Sequence, residues 1–186
     1  MTKCNICDSI VLNNKCKNCF HIYNEVPQFY KNFSLFVIMN YYMNCDEYNS
    51  ELRVLDLNEN FDTSLLLSFN ELKLGIKTVV CDEENTVELK GTFNIIVVRD
   101  IFSSTNSPNY LLKVIKTLMD KDTIIFIMNT QDIYFCKNYF NTNSMNKLCN
   151  LNKLFLNFVY KNIYKDRCVY LIKSNCCEYS NTIETI

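Results

Sequence analysis

Four short runs constrain this chain more than any other feature: Arg53–Leu57 (RVLDL), Lys77–Cys81 (KTVVC), Asn94–Arg99 (NIIVVR) and Thr123–Met128 (TIIFIM). Their Val, Ile and Leu residues run on without regular polar alternation, so as strands they present apolar side chains on both faces. Both faces must then be covered, which is the condition of a parallel sheet flanked by helices. Most of the runs are separated by amphipathic segments, with helices expected from about Thr63 to Lys73 and from about Pro108 to Met119. The predicted class is therefore α/β, with a mostly parallel sheet. Beyond Asn129 a short helix, Ser144–Asn150, and two extended runs, Leu154–Tyr160 and Arg167–Lys173, suit an antiparallel pair closing one edge. Before the first strand, Gln28 to about Tyr48 has apolar residues at helical spacing after Pro27, a favoured residue at a helix start. Three segments result: residues 1–24, a main domain over 25–173, and a tail, 174–186, read as flexible.

The 186 residues carry a formal net charge of −1, which lacks the basic footprint of most nucleic-acid binders and disfavours that partner. No apolar run reaches bilayer length, and the central stretch of the first helix, Leu35–Met39, is too short to span, so no membrane role is expected. Eleven cysteines would suit a disulfide scaffold in a small secreted chain. With no signal peptide at the start, reduced thiols in a cytoplasmic compartment are the better reading. Alanine and tryptophan are absent while Asn, Lys, Ile, Tyr and Phe abound, a skew that fits A+T-rich coding.

The first two dozen residues stand apart. Cys4-Asn5-Ile6-Cys7 and Cys16-Lys17-Asn18-Cys19 form two CxxC pairs around a short connection. Thiolates two residues apart can share one tetrahedral Zn²⁺, and two pairs fill the coordination sphere, leaving no position for substrate. Cys4, Cys7, Cys16 and Cys19 are thus the predicted ligands of a structural zinc, which would supply the core that so short a segment lacks. His21, the single histidine, lies beside the cluster as an alternative ligand or a solvated neighbour.

The turn after the first strand, Asn58-Glu59-Asn60-Phe61-Asp62-Thr63, sits where parallel sheets bind ligands, at the carboxyl edge and a helix N-terminus. It has no glycine, so close backbone approach to a phosphate is not provided for, although asparagine tolerates left-handed backbone. Glu59 and Asp62 would repel NAD or ATP, and a ligand with a cationic centre less so. Asp82, directly after the second run, holds the position of an acid that grips a ribose diol, or else simply opens the next turn.

Asp56, Asn60 and Thr63, then Asp82, FNIIVV, Asp100-Ile101-Phe102, Pro108 and LLKVIKTLMDKDTIIFIMNTQ together resemble class I S-adenosylmethionine (SAM)-dependent methyltransferases. The likeness is greatest to the sugar C-methyltransferase group, which carries an N-terminal cysteine zinc domain and occurs in bacteria and giant viruses. It implies a Rossmann-like sheet, SAM as cofactor held by Asp56, Asn58, Asn60, Asp82 and Asp100, and a sugar or nucleotide-sugar acceptor. If the source is viral, the compartment is the host cytoplasm.

The departures are as informative. The family's Asn-Asp-Gly-Thr turn reads Asn60-Phe61-Asp62-Thr63 here, and its Ile-Tyr-His-Glu-His run reads Ile133-Tyr134-Phe135-Cys136-Lys137. Tyr134 survives as a candidate catalytic group, while both histidines are replaced. Between Asp82 and Asn94 there is too little chain for the usual helix, strand and helix, so a trimmed sheet is expected. Carbon methylation needs a base tuned near neutrality, and losing one costs about 10²- to 10⁴-fold in rate. Asp100 and Asp132 are the other candidates. Two functions follow: a weakened SAM-dependent methyltransferase, or a catalytically inactive descendant acting as a zinc-containing binding or assembly partner for another protein.

Overall fold

The computed structural model describes residues 11–12, 15–16, 28–44, 51–58, 63–72, 76–81, 83–130, 138, 140–161, 167–174 and 183–185. Two short strands, β1 (Val11–Leu12) and β2 (Lys15–Cys16), pair antiparallel. There follow α1 (Gln28–Asn44), β3 (Leu52–Asn58), α2 (Ser64–Glu71) and β4 (Ile76–Cys81). After a 3-10 turn at Asn85–Glu88 come β5 (Phe93–Arg99), α3 (Ile101–Ser104), α4 (Pro108–Thr117) and β6 (Met119–Thr130). The chain continues with α5 (Thr142–Leu151), β7 (Phe155–Lys161), β8 (Arg167–Lys173) and β9 (Ile183–Thr185).

Strands β3 to β9 form one sheet in the order β4-β3-β5-β6-β8-β7-β9. Its first four members are parallel, and β8 is inserted antiparallel between β6 and β7. This is the α/β, Rossmann-like sheet with an antiparallel edge that the sequence led us to expect. It is also trimmed as expected: among the described residues the chain between β4 and β5 makes only the 3-10 turn, and β4 is the last strand on that side of the sheet.

The apolar runs explain the layering. In β5, Ile95 to Val98 are fully buried, and in β6 so are Ile124 to Met128. Alternate residues feed two cores. Val54, Ile95, Val97, Phe126 and Met128 pack on the face that carries α1 and α2. Leu55, Leu57, Ile96, Val98, Ile125 and Ile127 pack on the opposite face with α3, α4 and α5. Helix α1 buries Phe33, Val37, Ile38 and Tyr41, and its Ser34 Oγ meets Ser68 Oγ of α2 at 2.7 Å inside the layer.

Some boundaries differ from expectation for local reasons. Helix α5 begins at Thr142, earlier than Ser144, because Asn141 is its N-cap: Asn141 Oδ1 accepts from Ser144 N and Ser144 Oγ accepts from Asn141 N, both at 2.9 Å. Strand β6 starts at Met119, ahead of Thr123. A register shift absorbs the polar Asp120–Asp122, and Thr123 Oγ1 donates to Phe93 O at 2.6 Å. Within the tail, read as flexible, Ile183–Thr185 form β9, which pairs parallel with β7 at Val159–Lys161. Strand β7 would otherwise leave its outer ladder of backbone groups unpaired.

Candidate functional site

The carboxyl ends of β3, β4, β5 and β6 lie side by side, and the polar residues of the parallel strands gather there. On β3 the run Val54-Leu55-Asp56-Leu57-Asn58 is interior along its length, so Asp56 is 0% exposed and Asn58 is buried. On β5 the equivalent polar residue is Arg99, 5% exposed and opposite Asn58 in the ladder. By strand alternation Asp56, Asn58 and Arg99 share the face of α1 and α2. Arg99 reaches back along that face and donates Nε to Asp56 Oδ1 at 2.8 Å and Nη2 to Oδ2 at 2.7 Å. Such a fork makes two parallel charge-assisted hydrogen bonds and cancels the charge of both partners inside the protein.

Immediately after β5 the backbone turns sharply. Asp100 adopts left-handed geometry, with φ 59°, and is half-buried, while its N–H donates to Met128 O of β6 at 2.8 Å. That bond ties the start of α3 to the end of β6. Aspartate is among the few residues that take this conformation readily. On the other side of β3, Thr105 Oγ1 donates to Glu83 Oε1 at 2.5 Å, joining the segment after α3 to the segment after β4.

Two buried polar groups in this region have no partner. Asn129, 2% exposed near the end of β6, has neither its Oδ1 nor its Nδ2 hydrogen-bonded, and Ser103 Oγ in α3 is likewise unsatisfied. Asn138 is differently placed. Its Nδ2 donates to the carbonyls of Phe102 and Thr105, and its N–H to Ser103 O.

Of the residues singled out in the sequence, Asp56, Asn58 and Asp100 come together at this edge. Asn60, Asp82, Tyr134 and Asp132 lie outside the described residues, as do Cys4, Cys7 and Cys19. Cys16 is described only as backbone, in β2. Among the described residues no group of three or more His, Cys, Asp or Glu is placed to hold a metal. No helix among them is long and apolar enough to cross a membrane. Cys81, Cys149 and Cys168 are buried and not in disulfides, and burial pushes the Cys149 thiol up to about 12.

Sequence reasoning missed Arg99, Glu83, Ser103 and Asn129. A signal existed for two of them. Arg99 ends a run of buried aliphatics, NIIVVR, and a cation entering a sheet interior needs an acid, which Asp56 supplies one strand away. Asn129 similarly ends IIFIM with a carboxamide.

The chain is similar to several solved methyltransferases. The mitomycin 7-O-methyltransferase MmcR matches with a TM-score of 0.55 at 7% identity, over 78% of this chain and 53% of that one. An S-adenosylmethionine-dependent methyltransferase from Clostridium acetobutylicum ATCC 824 matches with a TM-score of 0.55 at 12% identity, over 79% and 92%. The plantazolicin methyltransferase BpumL, in complex with a triazolic desmethylPZN analog and S-adenosylhomocysteine (SAH), gives a TM-score of 0.58 at 10% identity, over 80% and 86%. The chain spans about half the length of the mitomycin enzyme. At these identities the likeness is one of fold, that of the class I SAM-dependent methyltransferases. No protein-family model matches the sequence, and no curated protein matches it.

Proposed function

We propose that this chain, built on the methyltransferase fold, binds SAM at the carboxyl edge of its parallel sheet and retains a weakened methyltransferase activity toward a small hydroxylated acceptor. Sugar C-methylation is the chemistry its sequence resembles. One observation carries the reading: charge at the edge is arranged for a cationic ligand. The carboxylates of Asp56, Asp100 and Glu83 stand at this edge, Asp56 held by Arg99 and Glu83 by Thr105. SAM brings a sulfonium, an ammonium, a carboxylate and a ribose diol, and this donor set fits it.

Asp100 and Asn58 would hold the amino-acid portion, with Asn60 in the following turn, and Asp82 would take the ribose hydroxyls. Bound SAM supplies an electrophilic methyl group. The chain's own part is to orient that group and to accept the proton released by the acceptor, a task for the carboxylate of Asp132, with Tyr134 as a hydrogen-bonding group beside it. Asp56 acts from below by fixing Arg99 and holding the end of β5 against β3. The four cysteines of the N-terminal segment, Cys4, Cys7, Cys16 and Cys19, would bind a structural zinc.

Titration calorimetry with SAM tests the reading. Binding in the micromolar range, weakened about tenfold or more by Asp100→Ala, supports it. A second reading, an inactive relative serving as a protein-binding partner, is favoured by the sequestration of Asp56 and by the turn without glycine. Absence of heat at millimolar SAM would select that second reading.

A further inference from the structure

We infer that Asn129 and Ser103 form a subsite for a hydroxyl group of the methyl acceptor, on the α3 side of the sheet edge. This deepens the proposed methyl-transfer function and rests on it. Both groups are nine-tenths or more buried and have no hydrogen-bond partner. A buried carboxamide without partners is costly, so its retention at the end of an otherwise aliphatic strand calls for an occupant that satisfies it.

The two residues belong to one corner of the fold. Strand alternation puts Asn129 on the face of Ile125 and Ile127, against which Ile101 and Phe102 of α3 pack. The bond from Asp100 N to Met128 O fixes the beginning of α3 beside the end of β6, with Asn129 the next residue on one side and Ser103 three further on the other. Arg99 and Asp56 lie on the opposite face, so this corner is separate from the ion pair.

The chemistry of the pair narrows the occupant. Asn129 offers one acceptor and one donor group, Ser103 offers both, and neither is charged. A charged ligand group would lose its hydration without a counter-ion, an apolar one would satisfy nothing, and a bare carbonyl could only accept. A hydroxyl donates and accepts at once. Asn138 cannot play the same part, because its amide nitrogen is committed to the Phe102 and Thr105 carbonyls.

The test uses the full chain labelled with ¹⁵N, its Asn129 side-chain amide resonances identified by their loss in Asn129→Leu. SAH and methyl α-D-glucopyranoside are the probes. The expected result is a saturable shift of the Asn129 amide pair with the glucoside, reduced about tenfold in affinity by Ser103→Ala. Asn129→Leu should abolish glucoside binding while raising Tm by roughly 3 °C, since it removes an unsatisfied group. An Asn129 signal that responds to SAH alone, or to neither probe, would overturn the assignment, as would a fall in Tm for Asn129→Leu. If SAH perturbs no resonance anywhere, the methyltransferase reading fails, while the response of Asn129 to the glucoside still decides this one.

Discussion

Arg99 grips both carboxylate oxygens of Asp56 across neighbouring parallel strands, and neither side chain is appreciably exposed. Removing one member leaves the other charge buried without its counter-ion, which typically costs about 3–5 kcal/mol, whereas replacing both with apolar residues of similar size is often neutral or stabilising. Arg99→Met should therefore lower the unfolding free energy by about 3–5 kcal/mol, and the double variant Asp56→Leu/Arg99→Met should recover most of it. Urea denaturation of the three proteins checks this. A double variant as unstable as the single one would show that the pair has a structural role beyond mutual neutralisation.

The cap of α5 allows a smaller test. Asn141 and Ser144 satisfy each other's backbone N–H groups in reciprocal fashion. Asn141→Ala should cost about 1 kcal/mol, and Asn141→Asp, which keeps the acceptor, markedly less. Thermal melts of both variants provide the comparison.

Cys149 is a buried thiol whose pKa is raised from 9.0 to about 12 by desolvation. Because the folded value lies above the unfolded one, its contribution to stability is complete below pH 9 and is lost as pH rises from there toward 12. Wild type should thus lose stability relative to Cys149→Ala across that window. In the folded protein at neutral pH the thiol is not a nucleophile, so iodoacetamide should label Cys149 only after denaturation, as peptide mapping by mass spectrometry would reveal.

The proposed zinc site makes a separate claim. Purified protein should carry about one equivalent of zinc, and Cys16→Ser/Cys19→Ser should release it. Elemental analysis reads both. A metal-free wild type with an intact fold would remove zinc from the account.

Much of the architecture was legible because burial on both faces leaves a strong mark. NIIVVR and TIIFIM could not be half-exposed strands, and their order with the intervening helices gives a parallel sheet. The short span between Asp82 and Asn94 announced the trimmed edge. What escaped was of two kinds. Segment α3 is four residues held by the turn at Asp100 and the bond to Met128, too short for periodicity to register. The Asp56–Arg99 pair is a relation across strands, and the sequence displays its members far apart, so Asp56 read as a ligand group when its carboxylate faces Arg99. Asn129 was invisible for a related reason: a polar residue at a strand end looks like the start of a loop, and only burial shows that it has no partner.

The central claim is that the carboxyl edge of β3 and β5 receives the methyl donor. Native-state hydrogen–deuterium exchange with and without SAH tests it most directly. The account predicts slowed exchange in peptides spanning Asn58 and Arg99–Ile101, with little change in β7 and β8. Protection confined to β7 and β8, or no change anywhere at saturating SAH, would contradict it.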